Sequence, residues 1–337
     1  MARALPPLDH VLTLTDDVGI IQHACESVPN RSTGYCTDDV ARALIVSLMR
    51  LQRVAEDPDA LRLAGIYLAF LYDARLSDGR FHNFMSYARA WLDEVGTPDS
   101  CGRAMWSLGY AARFAPSEPW RRVSAQLLDR TLSCVDWLEF PRAQAYAVLG
   151  LAHAVRADAT PGRMRALQLL ASSLRERYER EHQEDWDWFE PAMTYDNARL
   201  PEAVLRAGRA LDDPRLLEIG RSTLQFLERT VFEDGIFVPI GNDGWFRRGG
   251  PRARFAQQSL EASAMLDAEL VAFDALGDPA HREAAAIAAA WYDGKNSLGT
   301  VMAHGGGCYD GLEADGPNRN MGAESTLAYL AAAYAQE

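Results

Sequence analysis

The sequence predicts an all-α fold: an (α/α)6 toroid of six inner and six outer helices, with short β-hairpins in the rim loops. Three observations carry this expectation. Apolar residues recur at i, i+3, i+4 and i+7 through most of the 337-residue chain, the period of an amphipathic helix. The helical segments fall into two kinds that alternate strictly along the chain. The connections alternate as well, short after one kind and long after most of the other.

The expected helices cover 7–16, 38–53, 58–75, 100–114, 118–138, 141–156, 161–182, 196–210, 213–230, 256–275, 279–293 and 322–336. One set is small-residue-rich and apolar on several faces: VARALIVSLMRL, GRAMWSLGYAARF, RAQAYAVLGLAHAV, LPEAVLRAGRAL, SLEASAMLDAELVAF and ESTLAYLAAAYA. Helices of this kind are buried. The segments between them carry one charged face, as in EPWRRVSAQLLDRTLSCV and PRLLEIGRSTLQFLERTV. The turns EDP, PSEP, ADATP, DDP and GDP are short and join antiparallel neighbours. The connections at 17–37, 76–99, 183–195, 231–255 and 294–321 are long, and loops of that length usually carry function. The link at 139–141 is a short exception. Six buried helices ringed by outer ones close a toroid, and the long loops then gather where the inner helices begin. The expected organisation is one domain over 1–337. An open helical solenoid is the alternative, but its loops would be more uniform in length. The pieces GRFHNFM and GIFVPIG read as short strands on the rim.

Composition narrows the function. The formal net charge is −13 and no basic run is present, which excludes a nucleic-acid partner and an anionic membrane surface as expectations. No stretch of 18 apolar residues occurs, so no membrane span is expected. The N-terminus lacks an apolar signal region. The five cysteines are odd in number and widely spaced, so neither a disulfide framework nor a zinc site is expected. A cytoplasmic protein without metal or cofactor is the resulting expectation.

The long loops are rich in Asp, Trp, Tyr, Arg and Gly. Loop one holds GIIQHACESVPNRSTGYCTDD and leads through GYCTDDVAR into a helix, loop two holds DGRFHNFMSYARAWLDEVGTPDS, loop four EDWDWFEPAMTYDN, loop five GNDGWFRRGGPRAR and loop six GGGCYDGLEADGPNRNMGAES. Aromatic faces stack on the apolar faces of sugar rings, and carboxylates, amides and guanidinium groups bond their hydroxyls. The expected binding residues are Tyr35, Arg42, His82, Asn83, Trp91, Arg103, Trp188, Tyr195, Arg199, Trp245, Gln258, Tyr309 and Asp310.

Carboxylates recur where inner helices start: Asp38 and Asp39, Asp99, Asp196, Glu261 and Glu324. Each also suits plain helix capping, with Thr37, Asp99–Ser100 and Asp196–Asn197 as cap residues and the acids favoured by the helix dipole. Several such starts converging on one axis would crowd acids into a bowl, where burial and repulsion drive their pKa values apart. That divergence is what an acid/base pair needs. Asp38 and Asp39 stand within one helical turn of Arg42, which would keep one of them ionised. The expected catalytic residues are Asp38, Asp39, Glu190, Asp196 and Glu324.

The alternating helix pattern with active-site loops at one end resembles the six-hairpin (α/α)6-barrel glycosidase superfamily. That resemblance implies an inverting glycoside hydrolase acting on an oligosaccharide, a sugar phosphorylase, or a sugar epimerase. The arginines of WFRRGGPRAR suit a phosphorylase, and the rim histidines His23, His82 and His304 suit an epimerase. The local stretches GYCTDDVARAL, YDNARLPEA, GGCYDGL and MGAESTLAYL are similar to uncharacterised helical domains associated with bacterial glycosyltransferases. This second resemblance implies a functionally linked glycosyltransferase as partner, and a non-catalytic carbohydrate-binding or scaffold domain working with a separate enzyme is a further alternative. The chain itself has no glycine-rich phosphate loop. DDVAR also lacks the third acid that a diphosphate-binding magnesium cluster, as in a terpene cyclase, would need.

Overall fold

A computed structural model describes residues 5–336. The short helix α1 (Asp9–Leu14) precedes α2 (Thr37–Arg53), α3 (Pro58–Ala74), α4 (Pro98–Phe114), α5 (Glu118–Thr131) and α6 (Pro141–Ala157). Then come α7 (Pro161–Glu181), α8 (Arg199–Leu211), α9 (Pro214–Val231), α10 (Ser259–Leu276), α11 (Ala280–Ala289) and α12 (Ala323–Ala335). The even-numbered helices pack in the order α2, α4, α6, α8, α10, α12 and back to α2, so the inner ring closes. Helices α3, α5, α7, α9 and α11 each pack outside the inner helix that precedes them, and α1 packs on α12. The expected (α/α)6 toroid is the observed fold. The expected single domain includes residues 1–4 and 337, which lie outside the described part.

The short turns are built for reversal. Asp57, Ser117, Thr160 and Asp213 cap α3, α5, α7 and α9 with side-chain bonds to backbone N–H groups of the first turn. Each is followed by a proline in that turn, whose missing N–H costs nothing there. Burial follows the two sequence classes: every residue of α6 from Pro141 to Ala154 is buried. Small residues let inner helices touch. A Cβ on Gly109 of α4 would lie 2.0 Å from the Gly150 carbonyl of α6, so that seam requires glycine.

The long loops are laced together by two- and three-residue strands. Tyr35–Cys36 pairs with Phe84–Met85, joining loop one to loop two. Ala192–Met193 pairs with Phe246–Arg247, joining loop four to loop five. Gln257–Gln258 pairs with Gly311–Glu313, which also forms a hairpin with Gly316–Asn318. Both expected strand pieces appear, GRFHNFM as Phe84–Met85 and GIFVPIG within the hairpin Phe232–Phe237. No helix among the described residues is long and apolar enough to cross a membrane.

Helix ends depart from expectation where local bonds outcompete propensity. The segment 118–138 splits into α5 and a 3-10 turn over Leu132–Trp137, and 279–293 ends in a 3-10 turn at Ala290–Tyr292. Thr37 is not the cap of α2. The Cys36 sulfur takes that place, accepting from the Asp39 N–H, while the Thr37 hydroxyl donates to the His82 carbonyl at 2.6 Å. Helix α4 is capped by Thr97 in a reciprocal box with Ser100, rather than by Asp99. Neither Asp196 nor Asn197 caps α8, which starts at Arg199 without a side-chain cap bond.

Candidate active site

A bowl of about 270 Å³ opens at the end of the toroid where the inner helices begin. Its carboxylates are Asp38 of α2, Asp99 of α4 and Glu324 of α12. Arg42 and Arg103 form its floor with Leu260, and Tyr195, Asn242, Trp245 and Gln258 close the wall. Trp245 is held at φ +60°, a strained backbone for a bulky residue, and is 37% exposed. Strain of this kind concentrates at functional positions.

Loop two sets the orientation of Asp38. The Asp93 carboxylate accepts the backbone N–H groups of Asn83 and Phe84 at 2.8 and 3.0 Å. The pinned Asn83 side chain then donates to Asp38 Oδ2 at 3.1 Å. Asp38 Oδ1 has no hydrogen-bond partner and stands 3.7 Å from Arg103 Nε. Burial pushes the Asp38 carboxyl above its ordinary range, against the pull of Arg103, Arg42 and Asn83.

Asp39 turns the other way. It is 6% exposed, accepts from Arg42 at 2.7 Å and lies 3.1 Å from the Cys36 sulfur. Its pKa is pushed up to about 6 by burial, with Arg42 opposing and Glu324 adding to the rise. Arg42 therefore does not hold its near neighbour in the ordinary carboxylate range. The same guanidinium donates to Glu324 Oε2 at 2.5 Å, so Arg42 bridges α2 and α12.

A second layer lies beneath the floor. Arg103 donates to Tyr146 at 2.6 Å and to Asp196 at 3.1 Å, and stacks its guanidinium 4.0 Å from the Tyr146 ring centre. Arg199 pairs with Glu202 at 2.6 Å and with Asp267 at 2.8 Å. Asp196 sits at φ +49°, and its backbone N–H and that of Asn197 are clamped by Glu261 of α10. Burial and the Asp196 charge push Glu261 up to about 8. Asp196 itself is held low: Arg103 and Arg199 outweigh its burial.

The expected site residues therefore separate. Asp38, Glu324, Arg42, Arg103, Tyr195, Trp245 and Gln258 come together in the bowl. Asp196 and Arg199 line the lumen below the floor instead, because α8 begins three residues later than the pattern suggested. Asp39 is turned into the wall. Glu190 lies in a separate groove with Tyr195 and Asp99, paired with Arg142 at 2.5 Å. Trp188 is fully buried in the core, as is its neighbour Trp186, so neither faces the bowl. Tyr35 is also buried, with its hydroxyl on Asp16 at 2.6 Å.

Asn83 supports Asp38 from behind, and His82 is bonded to Asp93 and stacked on Trp91 at 4.7 Å. Tyr309 packs against His304 in loop six. Asp310, beside Asn318, is pushed up mainly by burial and then by Glu324. Asp99 and Asn242 are in the bowl without having been expected as site residues. Asp99 carried a signal, as an acid at an inner-helix start, and Asn242 carried only its place in a Gly- and Trp-rich loop. One His/Glu cluster with metal-like spacing exists among the described residues, Glu228, Glu269 and His281, set between α9, α10 and α11. It is held as an ion pair, His281 to Glu269 at 2.6 Å.

No family model and no curated protein matches the chain. Solved structures do. A sugar epimerase from a ruminal bacterium is similar over 96% of this chain and 93% of its own, at 13% identity and a TM-score of 0.75. A cellobiose 2-epimerase from Bacillus thermoamylovorans covers 96% of both chains, at 13% identity and a TM-score of 0.73. A GH76 α-mannanase from Bacteroides thetaiotaomicron is similar over 97% of this chain and 93% of its own, at 10% identity and a TM-score of 0.67. The chain has the same six-hairpin (α/α)6 toroid fold as these three.

Proposed function

We propose that the bowl cleaves a glycosidic bond of an oligosaccharide with inversion. The observation that carries this reading is the set of three carboxylates, Asp38, Asp99 and Glu324, that line one bowl beside Arg42 and Arg103. Asp38 is the general acid. Burial favours its protonated form, and its proton goes to the leaving glycosidic oxygen. Glu324 is the general base. It takes a proton from a water whose oxygen attacks the anomeric carbon from the opposite face.

Inversion needs the two carboxyl groups about 6.5–9.5 Å apart, leaving room for that water. Asp38 and Glu324 start from neighbouring inner helices, whose axes pack roughly 8–10 Å apart. Asp39 cannot replace either partner, being turned into the wall by Cys36 and Arg42. Trp245 supplies a stacking face for a sugar ring, and Gln258, Asn242 and Tyr195 supply polar contacts. A panel of manno- and gluco-oligosaccharides, separated by anion-exchange chromatography with and without phosphate, tests the reading. Shorter products without phosphate support hydrolysis. Products that form only with phosphate make the same bowl a phosphorylase, and no product from any member of the panel removes the proposal.

Sugar epimerisation is the second reading. It is favoured by the epimerase likenesses and by a D-mannose isomerase similar at a TM-score of 0.72. Against it, no histidine lines the bowl among the described residues. His82 and His23 are bonded within the rim, to Asp93 and Asn320. An intact oligosaccharide returned with an altered reducing-end sugar would favour this reading over hydrolysis.

A further inference from the structure

A second cavity, of about 430 Å³, lies under the bowl and reaches the opposite end of the toroid. Arg42, Arg103 and Leu260 are its ceiling as well as the floor of the bowl. Its middle is walled by apolar and aromatic groups, including Met49, Trp106, Tyr110 and Leu327, together with the ion-paired Asp196, Arg199, Glu202 and Asp267. Its far end runs into a side pocket lined by Arg113, Arg156, Arg206, Arg209, His153 and Asp274.

The charge there runs against the rest of an acidic chain. Arg206 is paired with Glu202 at 2.8 Å, but Arg113, Arg156 and Arg209 make no ion pair among the described residues. Asp274, the carboxylate lining this pocket, is exposed and makes none either. Arginines at the C-terminal ends of α4, α6 and α8 suit the helix dipole. The dipole does not account for His153. That imidazole is 7% exposed, faces both cavities, and has no hydrogen-bond partner among the described residues. Its ring packs on Tyr110 at 5.0 Å and on Phe114 at 5.6 Å between centroids. Its ring nitrogens are open to the cavity and free to bond a ligand there. Four guanidinium groups stand here against Asp274 and the Glu202 partner of Arg206, and such an excess suits a carboxylate or phosphate head.

We propose that this end of the toroid binds a small organic anion, with its carboxylate or phosphate head among Arg113, Arg156, Arg206, Arg209 and His153 and its apolar body in the lumen. The head draws on the unpaired guanidinium groups and on the His153 ring nitrogens. The body lies against Trp106 and Tyr110 and reaches the underside of Arg103 and Arg42. The site is separate from the bowl and does not depend on what the bowl catalyses.

Calorimetric titration of the full chain at fixed ionic strength tests this with five probes: phenyl phosphate, phenylacetate, inorganic phosphate, acetate and phenol. One of the two joined probes should bind saturably and at least about tenfold more tightly than its halves. Tighter phenyl phosphate assigns a phosphate head, and tighter phenylacetate a carboxylate head. The double variant Arg156→Glu/Arg209→Glu, at two exposed positions, should weaken the joined probe at least about tenfold with an unchanged circular dichroism spectrum. Ala331→Phe, which narrows the lumen, should weaken the joined probe and spare inorganic phosphate. The proposal is overturned by no saturable binding at about 10 mM probe, or by equal binding in the double variant. It is equally overturned if the joined probes bind no better than their halves.

Discussion

The two ends of the toroid are built from the same six inner helices and have opposite chemistry. At the end where those helices begin stand Asp38, Asp99 and Glu324, under long loops stitched by short strands. At the end where they finish stand Arg113, Arg156 and Arg209, beside turns of a few residues. The helix dipole explains the sign at each end, and so the sign alone is no mark of function. Each end also holds a polar group without a hydrogen-bond partner, the buried Asp38 Oδ1 at one and the cavity-facing His153 imidazole at the other. Between them the layer of Arg42, Arg103, Asp196 and Arg199 is densely paired, and it separates bowl from lumen.

Substitutions on either side of that layer separate chemistry from stability. The largest effect is expected from Asp38→Asn. Turnover on the best oligosaccharide should fall by roughly 10²–10⁴-fold, the usual worth of a general acid, with little change in urea midpoint. Asp196→Asn should do the reverse, because this acid serves the paired layer and not the bowl. Similar losses of turnover and stability in both variants would dissolve the distinction.

Arg103→Met strikes both sides at once. It removes one of the two cations paired with buried Asp196 and the nearest cation to Asp38. Breaking a buried pair from one side costs about 3–5 kcal/mol, readable in urea unfolding. A loss within the error of the measurement would mean that the layer does not hold the two cavities apart.

Glu261→Gln gives a pH-dependent difference. The folded-state pKa of about 8 lies above the ordinary Glu value of 4.5. The folded chain therefore binds this proton more tightly than the unfolded chain. The contribution is complete below about pH 4.5, declines as pH rises, and is lost above about pH 8, with a slope of at most about 1.4 kcal/mol per pH unit. Urea midpoints at pH 5, 6.5 and 8 should show wild type losing its lead over the variant. A constant difference would mean that Glu261 is ionised throughout. The smallest effect is expected from Trp245→Ala, which should raise KM about tenfold and leave the melting temperature within a degree or two, as for a lost stacking face.

The architecture was legible because it is written in repeated, local signals. Buried-type helices such as RAQAYAVLGLAHAV alternate with charged-face helices, and Asp–Pro or Thr–Pro turns alternate with long loops. The site was legible only in part. GYCTDDVAR marks one wall of the bowl, but adjacent residues on a helix point about 100° apart. Nothing local says that Asp38 meets the pinned Asn83 while Asp39 meets Cys36. EDWDWFEP has the composition of a sugar-binding loop, yet Trp186 and Trp188 turn inward, Trp186 against Phe226 and Phe246. Asp196 and Arg199 dropped below the floor because Glu261, from another helix, clamps the chain ahead of α8. These are decisions made by contacts far apart in the sequence, which periodicity does not carry.

The most direct test of the catalytic account is proton NMR of fresh reaction mixtures containing wild type or Asp38→Asn with the manno- and gluco-oligosaccharide panel. The account predicts that wild type releases a new reducing end of inverted anomeric configuration before mutarotation, and that the variant does not. Retained configuration, an epimerised but uncleaved oligosaccharide, or equal turnover in Asp38→Asn would contradict it.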